Sequence, residues 1–412
     1  MRRILAILCV LIAVPLLAVV GVVVRVSGAQ GVVTAFENAQ IIVGNGRVIA
    51  SGTLVMSGTT ITDVGPSTSV KVPAGARRIP YVGHAIMPMM LDTHVHLSAT
   101  EDGIRNDLVQ RAQYGVSAAM SLGQDAGDLP FKMRARVIPG AARFFTAGRG
   151  ITAPEPGRND IPYWLTTEAE ARKAVQELAA QKVDIVKIWV DDRDGKYKKL
   201  APEVYRAVIN EAHARGLRVT AHIFSMDDAK DLLKAGIDAF AHGIRDKDID
   251  AETVALFKAR PNVVLVPNLP DRGVKQDFSW LRGSMPADAV DKLQGASTDR
   301  PEVQPAFGIQ ARNLAKLNAA GVKIALGTDG NTPWGAHAEI ADMVATGMTP
   351  AEAIVAATRN SAEFLRLKDA GTLEAGKSAD FLILKASPLQ DITNTRQIDH
   401  VYLRGVEVNR QK

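Results

Sequence analysis

Five separated pieces of this sequence carry side chains that could together bind metal ions and activate water. Each piece lies within, at the end of or directly after a short apolar run rich in β-branched residues. Metal ligands delivered from the ends of successive strands meet at one mouth of a closed α/β barrel, so the pattern constrains fold, cofactor and reaction class together. The candidate ligands, in chain order, are His94, His96, Lys187, His222, His242 and Asp329.

The first histidine pair and the last carboxylate are the most direct signals of a metal site. His94 and His96 are two positions apart, so on a strand both imidazoles point to one side and could bind one ion. Asp92 lies on that side too, where it could support a ligand. Asp329 follows Gly-Thr at a strand end, where a carboxylate could bind an ion and accept a proton from bound water.

The middle pieces suggest that the site holds more than one ion. His222 and His242 are 20 residues apart with one helix between them, a spacing that fits adjacent barrel strands. Lys187 lies inside the apolar run VDIVKIWV, and burying a lone ammonium group there would be costly. Reaction of its amine with CO2 would give an anionic carbamate able to bridge two metals. The alternative is a lysine that points outward between helices.

The elements that must position these residues form three stretches of different pattern. Residues 30–88 read as short strands with a hairpin at Asn45-Gly46, residues 89–366 as strands alternating with helices, and residues 367–412 as strands again. The middle stretch predicts a (β/α)8 barrel, with capping boxes at Thr167-x-x-Glu170 and Thr349-x-x-Glu352 opening two of its helices. We expect the two terminal stretches to pair into one small β domain beside the barrel.

Residues 1–29 are typical of a targeting segment. Arg2 and Arg3 precede an uncharged run over residues 4–24, and Ser27-Gly28-Ala29 supplies small residues before a possible cleavage point. The run is also long enough to span a bilayer, so an uncleaved membrane anchor is the alternative to a signal peptide. In either case we expect the catalytic body outside the cytoplasm, periplasmic or secreted, with membrane contact only through this segment.

The composition argues against a nucleic-acid partner. The chain has 412 residues and a formal net charge of +5, which falls to +2 without residues 1–29 because three arginines and no acidic residues are lost. The only cysteine, Cys9, lies in the same segment. Any metal bound by the remainder must therefore use nitrogen and oxygen donors. The expected partner is a small-molecule substrate, and a homo-oligomer is possible.

The chain resembles the amidohydrolase superfamily, in particular its imidazolonepropionase-like and prolidase-like hydrolases. The resemblance covers roughly residues 36–410 and rests on the motifs MPMMLDTHVHL, VKIWV, TAHIF, AHG, GTDG, TPAEAIVAATRNSAEFL and GTLEAGKSADFLIL. It implies an α/β fold, namely a distorted TIM (β/α)8 barrel with a small β-sandwich domain built from both terminal segments. It also implies two divalent ions, expected to be Zn²⁺.

The resemblance also assigns roles to the candidate ligands. His94 and His96 would bind the more buried ion, which Asp329 would complete. His222 and His242 would bind the more exposed ion, and N6-carboxylysine at Lys187 would bridge the two. The expected reaction is hydrolysis of a C–N bond in an N-acyl amino acid, dipeptide or related amide. A hydroxide bridging the ions would attack the carbonyl, and Asp329 would carry its proton to the leaving amine.

One departure from the family pattern bears on the substrate. Members that cleave dipeptides often carry tyrosine after the fifth-strand histidine, whereas this chain has Phe224 there. Arg245, close behind His242, could supply a substitute clamp for a carboxylate. The equally open alternative is a surface arginine paired with Asp246 or Asp248.

Other candidate substrate contacts come from loops above the barrel. His337 lies eight residues past Asp329 and could touch substrate. Tyr163, Trp164 and Trp334 could form the walls of a pocket or serve ordinary packing. Three alternative functions remain open at this point: a lactonase, esterase or phosphotriesterase using the same site, a single-metal cyclic amidohydrolase, and a non-catalytic binding protein on the same fold.

Overall fold

Strands at the two ends of the chain and strands in its middle belong to different sheets. A computed structural model describes residues 33–410. The predicted signal peptide or anchor lies outside these residues. Within them, no helix combines the length and apolar character needed to cross a bilayer.

Residues 33–410 contain the following elements. The strands are β1 (Val33–Ile42), β2 (Val48–Ser57), β3 (Thr60–Pro66), β4 (Arg77–Pro80), β5 (Ala85–Pro88), β6 (Met90–Val95), β7 (Val116–Ser121), β8 (Arg143–Thr146), β9 (Ile151–Thr152), β10 (Tyr163–Trp164), β11 (Val186–Val190), β12 (Val219–Ile223), β13 (Ala239–Ala241), β14 (Val264–Val266), β15 (Lys323–Ile324), β16 (Phe381–Leu384), β17 (Ile398–Leu403) and β18 (Val406–Glu407). The α-helices are α1 (Glu101–Gln113), α2 (Leu129–Arg134), α3 (Glu168–Ala180), α4 (Pro202–Ala214), α5 (Met226–Ala235), α6 (Ala251–Lys258), α7 (Ala287–Ala296), α8 (Gln304–Ala319), α9 (Gly335–Ala345), α10 (Pro350–Val355) and α11 (Ser361–Phe364). Short 3-10 helices cover Ser279–Leu281 and Ile392–Arg396, and a π-helical turn covers Ala356–Asn360 between α10 and α11.

The terminal strands form one sheet with the order β18-β17-β16-β5-β1-β2-β3, and β4 pairs with β1. The two ends of the chain meet where β5 pairs antiparallel with β16. The ring of Phe36 lies 5.1 Å from that of Phe381 and 5.0 Å from that of Tyr402, so aromatic packing joins both segments. The expected union of the two terminal segments is confirmed. Their backbone hydrogen bonds make a single continuous sheet, which supports the predicted sandwich only in part.

The middle of the chain forms two parallel sheets. One has the order β10-β9-β11-β12-β13-β14-β15 and the other the order β6-β7-β8. Every residue of β11 and β12 is buried, and such strands read as continuous apolar runs because both faces are covered. The predicted α/β fold with parallel strands is therefore confirmed. Parallel pairing also places the carboxyl ends of these strands at one end of the sheets, where the candidate ligands lie.

Helix caps follow the predicted chemistry. The Thr167 side chain accepts from the backbone N–H of Glu170, whose carboxylate accepts from Thr167 in return, and α10 has the same box at Thr349 and Glu352. At the other end of a helix, Gly236 ends α5 with a φ of 102°, a left-handed conformation that glycine adopts without strain. These caps fix the lengths of the helices that return the chain to the next strand.

Candidate metal centre

Three imidazoles converge on the carboxylate of Asp329. His94 lies in β6 and His96 directly after it, and the Nε2 atoms of both are 3.0 Å from Asp329 Oδ1. His242 follows β13, and its Nε2 lies 3.3 Å from Asp329 Oδ2. One ligand atom each from His94, His242 and Asp329 lie within 4.8 Å of one another. The carboxyl ends of three strands thus bring nitrogen and oxygen donors around one small volume.

The charges of these groups suit metal binding. Burial, together with the nearby Lys187 amine, lowers the pKa of His94 to about 4. Burial also holds the pKa of His242 well below its usual range. Burial acts to raise the pKa of Asp329, but the surrounding imidazoles, His94 first, outweigh it and hold the pKa below the ordinary value. At neutral pH, His94 and His242 are therefore neutral donors around an ionised carboxylate.

Two further side chains hold the His94 ring and the strand beneath it. Asn268, just past β14, places its Oδ1 2.9 Å from His94 Nδ1, which leaves Nε2 directed toward Asp329. Asp92 accepts from the backbone N–H of His94 at 3.3 Å and from the Thr328 hydroxyl at 2.7 Å. The predicted supporting position of Asp92 is thus observed. Asn268 was missed, although its place at the end of the apolar run NVVLVPN is a signal of the same kind as the histidines.

The backbone is strained where the strands deliver these residues. His242, Asn268 and Asp329 have φ values of 91°, 44° and 52°, in the left-handed region that side chains with a Cβ rarely adopt. The three positions follow β13, β14 and β15 in order. Such conformations persist only where surrounding contacts enforce them, and they concentrate at functional sites.

Lys187 is the second residue of β11. Its side chain is fully buried in β11, and its Nζ has no hydrogen-bond partner among residues 33–410. Burial lowers the pKa of this amine to about 7, while the Asp329 carboxylate acts in the opposite direction. The charge of Lys187 in turn lowers the pKa of His94 and the pKa of His222. Lys187 therefore faces the histidine cluster and does not point outward between helices.

His222 adjoins His242 but meets different partners. The two rings are 4.4 Å apart, centre to centre. His222 Nε2 lies 2.9 Å from Asp191 Oδ2 and 3.0 Å from Arg193 Nη1, both from the loop that follows β11. Burial holds the pKa of His222 well below its ordinary value. His222 is the residue that the sequence predicts as a ligand of a second ion. Its Nε2 instead contacts the Asp191 carboxylate and the Arg193 guanidinium.

Comparison with known proteins identifies the family. The sequence profile of the amidohydrolase family matches residues 85–408. The chain belongs to the amidohydrolase family. The resemblance stated from the motifs is confirmed, and the protein is a hydrolase.

Individual relatives agree with this assignment. The chain is 29% identical over 342 residues to an uncharacterized protein of Mycobacterium tuberculosis, covering 81% of this chain and 87% of the other. It is 27% identical over 397 residues to the imidazolonepropionase of Deinococcus radiodurans, covering 89% and 94% of the two chains. A crystal structure of a Xaa-Pro dipeptidase with bound methionine superposes with a TM-score of 0.71 at 22% identity, covering 91% and 99%. This last likeness concerns the fold alone.

Arg245 of this amidohydrolase turns toward His222 in the candidate metal centre. The two carboxylates that could have held it at the surface have other partners, since Asp246 accepts from the backbone N–H of Met226 and Asp248 pairs with Arg312. Arg245 instead donates from Nη2 to the carbonyl of Ile223 at 2.8 Å, and the same nitrogen lies 3.3 Å from His222 Nε2. Of the two interpretations of Arg245 left open by the sequence, the surface ion pair is excluded.

His337 is removed from the centre. It lies on α9 with no exposed surface, its Nε2 2.8 Å from the Tyr114 carbonyl and its Nδ1 3.1 Å from Thr395 Oγ1. Trp334 packs against the same Tyr114, with ring centres 5.8 Å apart. The interpretation of His337 as a substrate contact is corrected, because both of its ring nitrogens are already used inside the protein.

Tyr163 and Trp164 form the short strand β10 at the edge of the seven-stranded sheet. The Tyr163 hydroxyl donates to Glu177 at 3.0 Å, and the Arg149 guanidinium lies 3.9 Å from the centre of its ring. Trp164 donates from its indole N–H to the Asn159 carbonyl at 3.2 Å. These bonds explain how the long loop is held together. Both aromatic residues remain partly exposed, and their predicted contact with substrate stays a prediction.

Proposed function

We propose that the protein is a metal-dependent amidohydrolase that cleaves a C–N bond in an amide or peptide-like substrate, such as an N-acyl amino acid or a dipeptide. The observation that carries the proposal is the convergence of three imidazole Nε2 atoms on the Asp329 carboxylate. The likeness to an imidazolonepropionase supports the choice of a small substrate with a C–N bond.

The residues around Asp329 fit one divalent ion as they stand. His94 Nε2 is a buried ring nitrogen turned away from its bond to Asn268, and His96 and His242 present theirs to the same carboxylate. Histidine nitrogens with a carboxylate oxygen are a ligand set that suits zinc. When bound, such an ion lowers the pKa of water and polarises a carbonyl.

Asp329 is also placed to move the proton that hydrolysis requires. Its Oδ1 is shared by His94 and His96 at 3.0 Å each, while Oδ2 meets only His242, at 3.3 Å. Oδ2 is therefore the less engaged of the two oxygens. We propose that Oδ2 accepts a proton from the attacking water and delivers it to the leaving nitrogen.

We further propose that Lys187 carries a carbamate. A buried amine with its pKa lowered to about 7 has a large unprotonated fraction at neutral pH, and that form is the nucleophile for CO2. The reaction joins the amine nitrogen to the carbon of CO2 and releases one proton, which leaves an anionic carboxylate on Nζ. The unpartnered Nζ, fully buried, is the observation that favours this modification.

A second ion fits less well than the first. It would need His222 Nε2, which lies 3.0 Å from Arg193 Nη1 and 3.3 Å from Arg245 Nη2. Two guanidinium cations at this distance repel a divalent ion strongly in a buried setting. A two-metal centre with bridging carboxylated Lys187 therefore requires both arginines to withdraw, and a single-metal centre is the second candidate.

Metal content by elemental analysis tests both candidates on the chain that lacks residues 1–29. Two zinc-like ions in the wild type and one or none in Lys187→Ala would support the bridged centre. One ion in both would support the single-metal centre. Lys234→Ala, which removes an exposed lysine paired with Glu252, is the matched control and should leave the count unchanged. Absence of any tightly held ion would contradict the proposed function.

Activity on a panel of amides, lactones, esters and phosphotriesters tests the bond that is cleaved. We expect turnover of N-acyl amino acids or dipeptides, with a large loss in Lys187→Ala that short carboxylic acids restore in part. Full activity of Lys187→Ala without added acid would contradict a role for the carbamate. Turnover of lactones or phosphotriesters without amides would overturn the assignment to C–N bonds.

We also propose that the parallel strands close into one barrel. Thr93 of β6 donates its backbone N–H to Leu326, just past β15, at 2.9 Å, and Asp184 before β11 donates to Thr146 of β8 at 3.0 Å. These bonds link the two parallel sheets at both flanks. An experimental structure at high resolution tests the closure.

Export of the protein is proposed from residues 1–29. The arginines at positions 2 and 3, the uncharged run over residues 4–24 and the small residues before Gln30 support it. Cell fractionation with N-terminal sequencing distinguishes a cleaved signal, which gives soluble protein beginning near Gln30, from an anchor, which keeps the intact chain in the membrane. Recovery of intact protein in the cytoplasm would contradict export.

A further inference from the structure

Two imidazoles in the terminal sheet face the same carboxylate oxygen. His84 precedes β5, and its Nε2 lies 3.6 Å from Asp399 Oδ2. His400 of β17 presents its Nε2 to the same oxygen from 3.4 Å. The three side chains come from both terminal segments of the chain and belong to the sheet beside the parallel strands. The proposed reaction uses none of them.

A β-bulge explains how two consecutive residues of β17 can face one point. Neighbouring side chains of a regular strand alternate between its two faces. His400 pairs with Ile383 of β16, and Ile398 pairs with the very next residue of β16. Asp399 is therefore an extra residue with no opposite residue in β16. Such bulges re-aim side chains and are frequent beside functional sites, and this one brings Asp399 to the His400 ring.

The second nitrogen of each ring determines what the first can do. His84 Nδ1 lies 3.3 Å from the Val82 carbonyl. His400 Nδ1 lies 2.7 Å from Glu407 Oε1. A carbonyl and an ionised carboxylate can only accept hydrogen bonds, so each Nδ1 carries the hydrogen and Nε2 of the neutral ring is an acceptor. Two Nε2 lone pairs and a carboxylate oxygen therefore converge without a donor among them.

The distances suit an ion between these acceptors better than direct hydrogen bonds. Ligand atoms about 2.1 Å from a tetrahedral zinc ion lie about 3.4 Å apart, whereas a good N–H···O bond is about 2.9 Å long. Contacts at Nδ1, as in both rings, are those that orient imidazoles bound to a metal. The side chains of His84, Asp399 and His400 are 29–34% exposed, so they have room to draw together around one ion.

The carboxylates of this cluster are reached from solvent and are not taken by other cations. Asp399, His400 and Glu407 line a cavity of about 750 Å³ between β17 and β18 on one side and residues 280–284 on the other. Among residues 33–410, no lysine or arginine forms an ion pair with Asp399 or Glu407. This holds although four basic residues line the same cavity, namely Arg282, Lys385, Arg396 and Arg410.

We propose that His84, Asp399 and His400 form a site for a divalent transition-metal ion such as Zn²⁺, which we call the terminal-sheet site. Two imidazole nitrogens and one carboxylate oxygen are a donor set that suits zinc, and water completes the coordination. His84 belongs to the first terminal segment and the other two ligands to the last, so the ion ties both ends of the chain together. Its binding stabilises the folded protein and does not depend on the proposed reaction.

Calorimetric titration of the metal-loaded protein with zinc tests the site. We expect one zinc ion to bind in addition to any in the candidate metal centre. His84→Gln and His400→Gln should each weaken this binding by at least about tenfold, since even an outer partner of a ligand typically contributes about 10–100-fold to affinity. Glu407→Gln keeps both rings and should weaken it less than either histidine variant.

His213→Gln is the matched control, because His213 is an exposed imidazole that meets a single carboxylate, Asp238, at 2.8 Å. It should leave the zinc affinity unchanged. Zinc bound anywhere else in the protein would bind equally to all of these variants, so the difference between them isolates the terminal-sheet site.

Stability supplies an independent readout. Added zinc should raise the urea midpoint of unfolding of the wild type by more than that of His84→Gln. Asp399→Asn replaces any histidine variant that fails to fold. If the wild type takes up no additional zinc ion, or if the wild type and both histidine variants bind zinc equally, the site is overturned. Protons on the two rings would then satisfy the Asp399 oxygen.

Discussion

The two sides of the candidate metal centre receive similar side chains from similar strands, yet their surroundings differ. On the Asp329 side, defined by His94, His96, His242 and Asp329, the imidazoles meet a single carboxylate. On the His222 side, defined by Lys187, His222, Arg193 and Arg245, the donors face two guanidinium groups. One side places a carboxylate among imidazoles, and the other places two guanidinium groups and the Asp191 carboxylate around an imidazole.

The difference originates in the loops that follow the strands. Adjacent strands β12 and β13 place His222 and His242 with ring centres only 4.4 Å apart. The loop after β11 then adds Asp191 and Arg193, and the loop after β13 adds Arg245. Strands therefore fix where the donors lie, while loops decide the charge they meet, which is how one fold supports different substrates.

The largest expected effect comes from removing the charge of the Asp329 side. Asp329→Asn keeps the shape of the side chain but removes a metal ligand and a proton acceptor. We expect kcat/KM to fall by about 10³-fold or more, since proton transfer alone typically contributes about 10²–10⁴-fold. Metal content, measured alongside, should also fall.

Asp248→Asn is the matched control for that loss, because Asp248 is an exposed carboxylate paired with Arg312. It should keep both activity and metal. Activity of Asp329→Asn within tenfold of the wild type would show that the reaction does not take place on the Asp329 side. The His222 side would then be the candidate for the reacting side.

The second largest expected effect is a loss of stability on replacing Arg111, a residue of α1 that holds the loop after Asp329. Arg111 of α1 is buried and donates to the side chain of Asn331 at 3.0 Å and to the carbonyl of Gly330 at 3.1 Å, holding the loop that follows Asp329. Arg111→Met would leave these acceptors unpaired, and we expect a loss of about 2–4 kcal/mol in the free energy of unfolding. Urea unfolding measures it.

Arg105→Met on the same helix is the control for Arg111. Arg105 is an exposed arginine paired with Asp102, and its loss should cost less than about 1 kcal/mol. If both variants were equally stable, the loop after Asp329 would not depend on Arg111.

The sequence supported prediction of the donors because their positions follow from the strands. The four histidines and Asp329 lie at, near or just past the end of a buried apolar run, Lys187 lies inside one, and parallel pairing brings such runs side by side. The pairing of β5 with β16 could be expected for a similar reason, since an apolar strand at each end of the chain requires a partner.

Residues in loops could not be placed in this way. Arg193 lies in the polar stretch DDRDG and has a φ of 55°, so the turn that aims it at His222 depends on backbone geometry that composition does not specify. His337 shows the opposite error. Its distance of eight positions from Asp329 suggested the pocket, but α9 turns its ring toward Tyr114 and Thr395.

A smaller effect, on metal affinity, should follow from removing the side chain that orients the His94 ring. Asn268→Ala removes the bond to His94 Nδ1, and loss of such a partner typically costs about 10–100-fold in metal affinity. Competition with a chelator of known affinity measures it. Asn262→Ala, exposed before β14, is the control and should keep the wild-type affinity. An unchanged affinity in Asn268→Ala would mean that the strand alone orients His94.

The smallest expected effect concerns a histidine outside the centre and sharpens the comparison with those inside it. Burial lowers the pKa of His337 to about 4, below the ordinary value of 6.5. The unfolded chain therefore takes up a proton first as pH falls, so this stabilising contribution is present above pH 6.5 and is lost toward pH 4. Between pH 7 and pH 5 the wild type should lose about 1–2 kcal/mol through His337.

His337→Gln should lack that part of the pH dependence, as measured by urea unfolding of both proteins across the range. The cluster histidines are common to both proteins, so subtracting one curve from the other removes their contribution. Parallel curves would mean that the pKa of His337 is not lowered in the folded protein. Its contacts with Tyr114 and Thr395 would then accommodate a protonated ring at pH 5.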